Sequence, residues 1–401
     1  MAIHISKFSL EPGYPDFSDL PWHLPLNTWN EHCGCLEEYP KGISRHMVVF
    51  VRYDEHLFAF KEVLGEIAGS EFRLLKKIDE KNLPTVKPVG FANLDSNDGS
   101  RSILITRYLE NSIPYRSLFM SKQLVRYSQH LLDSIAGLLV QLHLAGVYWG
   151  DCSLSNALFR RDAGKLQAYL VDAETSEIEN KGLPPSLRFQ DLTIMEQNID
   201  AEIAELKNTD ELNHTIPPDT GSYIRLKYQR LWDEINCEGS IKTTESYLIQ
   251  ERIRALNSLG FSVGDVELFR LEDGNQLRFH VIVTDRNFHR NQLIQLTGLH
   301  AEEMQARTMM NEIHEVKAVF SQSNNRVVPL QEAAQHWKHN IYDYITAQLT
   351  SYVYNDADIS ELYCQILENK WYMSERAHHD VGHQIATDDF VQNHLSEEMK
   401  H

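Results

Sequence analysis

The spacing of apolar and polar positions divides the chain into stretches of different character. Residues 1 to 30 keep no steady period: Pro12, Pro15, Pro21 and Pro25 stand among Trp22, Leu24, Leu26 and Trp29. Proline fixes φ and removes a backbone donor, so this stretch reads as an extended arm rather than a regular element. Its two tryptophans suit packing against a lobe better than a loose tail. From Gly42 the pattern turns strand-like. Met47 to Tyr53 and Leu57 to Val63, either side of the polar Asp54 to His56, read as an antiparallel hairpin with Lys61 on its second strand. Ser70 to Ile78 is helical, with Glu71, Leu75 and Ile78 on one face by three- and four-residue spacing. Val86 to Phe91 and Ser102 to Tyr108 are two further strands joined through the polar Asp95 to Gly99. A small sheet with one helix is thus expected before residue 111.

After Asn111 the pattern becomes helical. Tyr127, Leu131, Ile135, Leu138, Leu139 and Leu142 form a broad apolar face, ended by Gly146 where a helix C-cap favours glycine. Leu192, Met195, Ile199, Ile203 and Leu206 predict a second such helix, followed by a polar boundary from Asn208 to Gly221 containing Pro217 and Pro218. Beyond it the pattern predicts a helix over Tyr247 to Leu259, a hairpin of Val266 to Leu271 with Leu277 to Val283 about Asp273 and Gly274, and helices over 301–319, 330–349 and 358–372. The expected division is an N-terminal arm (1–34), a sheet lobe (35–111), a helical lobe (112–235) and a further α/β domain (240–395).

A chain of 401 residues is too long for one average core, which agrees with several domains. Its formal charge of -19 argues against a nucleic-acid partner, which requires clustered Lys and Arg. Five scattered cysteines, at 33, 35, 152, 237 and 364, read as free thiols of a reducing compartment, with Cys33 and Cys35 as two loop thiols. The longest apolar stretch, Ser134 to Trp149, is interrupted by Gln141 and His143 and falls short of the ~20 residues of a spanning helix. No transmembrane segment and a cytoplasmic location are therefore expected. Nothing in the pattern specifies oligomeric state.

The chemistry-bearing residues lie at the junctions of these elements. Asp151 and Asn156, five apart, follow the long apolar helix and precede the apolar strand Ala168 to Val171, which ends at Asp172. An acid, an amide and a second acid after a hairpin-length gap supply the oxygen donors that hard cations take. Phosphoryl transfer needs cations on the phosphate oxygens, a lysine on the phosphates and a carboxylate near the acceptor hydroxyl. Lys61, within Ala59-Phe-Lys61 on a strand, fits the phosphate role, and Glu71 on the next helix can pair with it. Glu66 is a rival partner, but it lacks the apolar companions of the Glu71 face.

These residues, in this order, resemble the protein-kinase-like superfamily over roughly residues 35 to 235. More narrowly, Lys41-Gly-Ile-Ser-Arg-His46, Gly150-Asp-Cys-Ser-Leu-Ser-Asn-Ala-Leu-Phe-Arg-Arg161 and Leu170-Val-Asp-Ala-Glu174 resemble a bacterial lipopolysaccharide (Kdo/heptose) kinase-like family whose members carry a C-terminal domain of unknown function. Residues 240 to 395 resemble that domain, with Leu296-Thr-Gly-Leu299 and Ala333-Ala-Gln-His-Trp337 as local matches. The resemblance implies an α+β, bilobal protein-kinase-like fold, with a small antiparallel-sheet N-lobe, a helical C-lobe and an additional C-terminal domain. It also implies ATP and Mg²⁺ as cofactors, with Asp151 at the acceptor hydroxyl, Asn156 and Asp172 on the metal, and Lys61, Glu71, Gly42 and Arg45 around the nucleotide.

Three departures stand out. Trp149-Gly150 replaces the His-Arg usual before the catalytic Asp, Asp172-Ala-Glu174 replaces Asp-Phe-Gly, and the nucleotide loop keeps only Gly42, with Arg45 or His46 as electrostatic substitutes. The leading expectation is an ATP- and Mg²⁺-dependent phosphotransferase acting on a hydroxyl of a small molecule, sugar or glycolipid. The alternative is a pseudokinase-like binding or regulatory module whose C-terminal domain binds a partner. His379 and His383 have a helical metal-pair spacing but no third ligand at a diagnostic distance, and Cys152 has no adjacent base, so both read as structural residues.

Overall fold

The computed structural model describes residues 4–37, 46–53, 56–96, 99–120, 128–208, 219–236, 239–242, 263–270, 276–283, 287–350 and 356–395. It divides into two compact units. The first is Met1–Arg160 with Gln167–Ile282; the second is Arg161–Leu166 with Val283–His401.

In the first unit, β1 (His4–Leu10), β2 (Leu36–Glu37), β3 (Met47–Tyr53), β4 (His56–Leu64), β5 (Pro88–Ser96) and β6 (Gly99–Arg107) form one sheet in the order β1-β5-β6-β4-β3-β2. Every neighbouring pair is antiparallel. The expected hairpin is β3 with β4, and its register sets Lys61 opposite Val48. Strand β1 departs from the expected arm. Its side chains are mostly exposed, so it carries little of the alternation that a half-buried strand shows. Gly90 of β5 admits it, because a Cβ there would collide with the Ser9 carbonyl oxygen.

Side chains alternate across the sheet. Phe58 and Phe60 face the segment after β1, where Phe17, Leu20, Trp22, Leu26 and Trp29 join them in one buried cluster. Trp29 opens the short helix α1 (Trp29–His32). Both indoles are satisfied, Trp22 Nε1 donating to the Phe17 carbonyl (2.7 Å) and Trp29 Nε1 to that of Leu24 (3.1 Å). Cys33 and Cys35 are joined by a disulfide rather than remaining two loop thiols; the turn brings their Cα atoms to 5.3 Å, within bridging range. The other face of β4 carries Ala59 and Lys61 towards α2 (Ile67–Glu80), the expected helix with its ends extended. Gly69 lets α2 lie close over β5: a Cβ would stand 3.0 Å from the Phe91 ring.

Helices α3 (Tyr115–Met120), α4 (Ser128–Leu144), α5 (Pro185–Lys207) and α6 (Thr220–Asn236) follow, with Leu131, Ile135, Leu139, Met195, Ile199 and Ile224 among their buried residues. Pro185 opens α5, where its missing N–H costs nothing. Two short antiparallel ladders are inserted between α4 and α5: β7 (Val147–Tyr148) pairs with β10 (Glu177–Ile178), and β8 (Ala157–Asp162) with β9 (Lys165–Leu170). A three-stranded sheet in the order β11-β13-β12 comes last, from β11 (Gly239–Lys242), β12 (Val263–Arg270) and β13 (Gln276–Val283). The helix expected over 247–259 lies outside the described residues. The arrangement is α+β, a small antiparallel sheet with one helix leading into a helical lobe, as the resemblance implies.

The second unit is helical. Helices α7 (Phe288–Thr297), α8 (Glu303–Ser323), α9 (Leu330–Trp337), α10 (Asp343–Leu349), α11 (Asp356–Ala377) and α12 (His383–Phe390) pack around Met309, Ile313, Trp337, Ile345, Tyr363 and Ile366. A wider turn over Lys338–Tyr342 joins α9 to α10, so the expected 330–349 helix is one run with an interior irregularity. Among the described residues no helix is long and apolar enough to cross a membrane.

Candidate active site

Lys61 leaves β4 on the α2 side of the sheet and meets Glu71, whose side chain is fully buried. The Nζ donates to both Glu71 carboxylate oxygens, at 3.0 and 3.1 Å, and to Asp172 Oδ2 at 2.7 Å. Glu66 is the residue before α2 and does not take this place. Burial by itself would discharge Lys61, but Glu71 and Asp172 outweigh it and hold the ammonium above its ordinary pKa. For Glu71 burial dominates: together with repulsion from Asp172 it lifts the carboxyl to about 7 despite Lys61. Asp172 is the reverse case, its burial overcome by Lys61 and by the Glu174 N–H on Oδ1 (3.0 Å), so it stays below the usual carboxylate range.

The loop bearing Asp151 and Asn156 is held from several sides. Asn156 Nδ2 donates to the Asp151 carbonyl at 3.0 Å and to Asp151 Oδ2 at 3.2 Å, which makes the amide and acid one local unit. The Asn156 carbonyl accepts from Val171 N at 3.1 Å, so the segment bearing Asp172 is tied to the same loop. Thr175 and Ser176 hydroxyls both donate to the Trp149 carbonyl, at 3.1 and 3.0 Å. Gly150 explains one departure noted in the sequence. Its φ is +83°, and a Cβ would stand 2.5 Å from the Thr175 carbonyl oxygen. No side chain fits in that conformation, so the usual arginine has no place here.

Helix α5 contributes residues that the sequence reading passed over. Asp191 Oδ2 accepts from Trp149 N (2.7 Å) and Oδ1 from Gly150 N (3.0 Å), while His143 Nε2 donates to Oδ2 at 3.0 Å. His143 Nδ1 then receives the Tyr228 hydroxyl at 2.8 Å. Glu202 accepts from Leu154 N (2.7 Å) and Ser155 N (3.0 Å). Asn198 Nδ2 donates to Asp151 Oδ1 (2.8 Å) and to the Cys152 carbonyl (3.2 Å). The available signal was a polar side chain at 191, 198 and 202, seven and four apart, beside the apolar stripe of Met195 and Ile199.

The remaining expected residues fall in different places. Gly42 and Arg45 lie outside the described residues. His46 is described, with Nε2 3.3 Å from Glu174 Oε2. Cys152 is fully buried, and burial pushes its thiol well above the ordinary value. In the second unit His383 Nε2 contacts Glu312, which also accepts from Trp337 Nε1 at 2.7 Å and from the Tyr363 hydroxyl, while His379 Nδ1 donates to the Ala377 carbonyl. Among the described residues no three His, Cys, Asp or Glu side chains converge as a metal cluster. A Mg²⁺ bound through one or two protein oxygens and substrate phosphates needs no such cluster, so the Asn156 amide and Asp172 carboxylate suit that ion.

Residues 57–212 match the Lipopolysaccharide kinase (Kdo/WaaP) family, and residues 230–395 match a Domain of unknown function (DUF4032). Both parts of the expected resemblance are borne out, and the first match supports a phosphotransferase. No curated protein matches the chain. Among solved structures, WaaP in complex with acyl carrier protein aligns at 16% identity over 63% of this chain and 99% of that one, with a TM-score of 0.35. Aminoglycoside-3'-phosphotransferase of type VIII aligns at 14% identity over 58% and 97%, TM-score 0.35. The Cydia pomonella Granulovirus kinase PK-1 aligns at 16% identity over 50% and 90%, TM-score 0.33.

Proposed function

We propose that this chain is an ATP- and Mg²⁺-dependent phosphotransferase whose acceptor is an alcohol group of a small molecule, sugar or glycolipid. The observation that carries the reading is the meeting of Lys61, Glu71 and Asp172 in one buried charge cluster, with Asp151 and Asn156 on the loop bonded to the Asp172 segment. Lys61 holds the nucleotide phosphates, and Glu71 orients it. Asn156 and Asp172 present oxygens to the metal. Asp151 accepts the proton of the acceptor hydroxyl as that oxygen bonds to the γ-phosphorus, in line with the bond to the departing ADP that breaks. When bound, the ion neutralises charge on the β- and γ-phosphate oxygens. Residues 35–235 supply this machinery and residues 240–395 an appended domain. A cytoplasmic location, where ATP is available, is part of the same proposal.

The test is a thermal shift of wild type and Asp172→Ala with ATP, with and without Mg²⁺, since a ligand that binds only the folded state raises its stability. Stabilisation that needs both Mg²⁺ and Asp172 is expected. No shift at millimolar ATP would overturn the reading and favour a pseudokinase-like module whose C-terminal domain binds a partner.

A further inference from the structure

Three polar residues on one face of α5 support the loop that carries Asp151, and they do different work. Asp191 and Glu202 bind backbone N–H groups, of Trp149 and Gly150 and of Leu154 and Ser155 respectively. Asn198, between them, is the one of the three that reaches the acid itself, at 2.8 Å from Asp151 Oδ1. A side-chain amide nitrogen has two N–H groups to give, and the second meets the Cys152 carbonyl at 3.2 Å. Both donors are therefore used, and the amide cannot turn without losing two bonds. The other carboxylate oxygen, Oδ2, has Asn156 Nδ2 at the longer distance of 3.2 Å.

We propose that Asn198 is a positioning residue for Asp151: it anchors Oδ1 so that Oδ2, the less tightly held oxygen, faces the acceptor hydroxyl. The inference rests on the phosphotransferase reading of this site. An amide suits the task better than Lys or Arg, because it orients the carboxylate without bringing a full positive charge to the group that must attract the hydroxyl proton. Small errors in such orientation are costly, since displacement of a reacting group by about 1 Å can lower a rate by ~10²-fold.

The variants are Asn198→Ala, Asn198→Ser and the isosteric Asn198→Asp, each in the full chain. The measurements are ADP release from Mg-ATP, with water as the default acceptor, and the Mg-ATP thermal shift. Expected is a fall in kcat of about 10- to 100-fold for Ala, a larger fall for Asp, which sets a like charge against Asp151, and partial recovery for Ser, which keeps one donor. The KM for ATP and the thermal shift should stay at wild-type values. Wild-type kcat in Asn198→Asp, or a loss of kcat matched by an equal loss of the thermal shift, overturns the positioning role and leaves the phosphotransferase reading standing. Wild-type protein without Mg-ATP turnover removes that reading and this inference together.

Discussion

Lys61 and Asp172, 111 residues apart in the chain, are paired directly, Nζ to Oδ2 at 2.7 Å. Glu71 shares the same ammonium, so one cation stands between two carboxylates in a largely buried setting. With all three groups ionised the cluster carries one net negative charge. On the proposed reading, a divalent ion on Asp172 would compete for that carboxylate and free Lys61 for phosphate oxygens.

Removal of the ammonium should therefore expose the cost of the buried acid. Lys61→Met leaves Glu71 without its cation, and breaking a buried pair from one side costs roughly 3–5 kcal/mol. Adding Glu71→Gln should recover most of this, because the charge left unpaired is gone. Urea unfolding of the single and double variants reads both effects, and neither variant should regain the Mg-ATP shift. A single variant as stable as wild type would mean that the pair contributes nothing to the fold.

Gly150 and Gly182 offer a matched comparison. Both have φ of +83°, but a Cβ on Gly150 meets the Thr175 carbonyl oxygen, whereas one on Gly182 meets nothing within 4 Å. Gly182→Ala should cost about 1 kcal/mol from backbone strain alone. Gly150→Ala should cost more, by roughly 1–3 kcal/mol, because either the Thr175 segment or the loop must shift. Denaturant midpoints decide the matter, and equal losses would show that the Thr175 contact relaxes freely.

How much of this was legible follows from where each signal lies. The β3–β4 hairpin was readable because Phe58 and Phe60 are buried on one face while Ala59 and Lys61 take the other, which writes a period of two into the sequence. The order Lys61, Glu71, Asp151, Asn156, Asp172 was readable as spacing, and the structure brings the first two to Asp172 and ties the loop of the other two to its segment. Strand β1 was not readable, since an exposed edge strand leaves no apolar alternation. Asp191, Asn198 and Glu202 were passed over because polar residues on a helix look solvated until the loop 41 to 48 residues before them is seen to lie against that face. His143 registered only as an interruption in an apolar helix, and its partners Asp191 and Tyr228 are 48 and 85 residues away.

Asp162 makes the second unit sensitive to pH in a direction that can be stated in advance. Its carboxylate is buried and accepts from Gln305 N at 2.9 Å and Met304 N at 3.2 Å. Burial, with repulsion from Glu302 and Glu361, outweighs those two bonds and lifts its pKa from 3.8 to about 8. Between those values the unfolded chain has released the proton and the folded chain retains it. Stability therefore falls as pH rises from about 4 to about 8, with a slope of up to ~1.4 kcal/mol per pH unit for a single proton. Asp162→Asn cannot titrate, so subtracting its stability from that of wild type at each pH isolates this group from every other. The difference, measured by urea unfolding at several values from pH 5 to 8, should decline steadily across the range. A difference that stays flat would mean that Asp162 is ionised throughout, with the α8 N–H groups alone sustaining its charge.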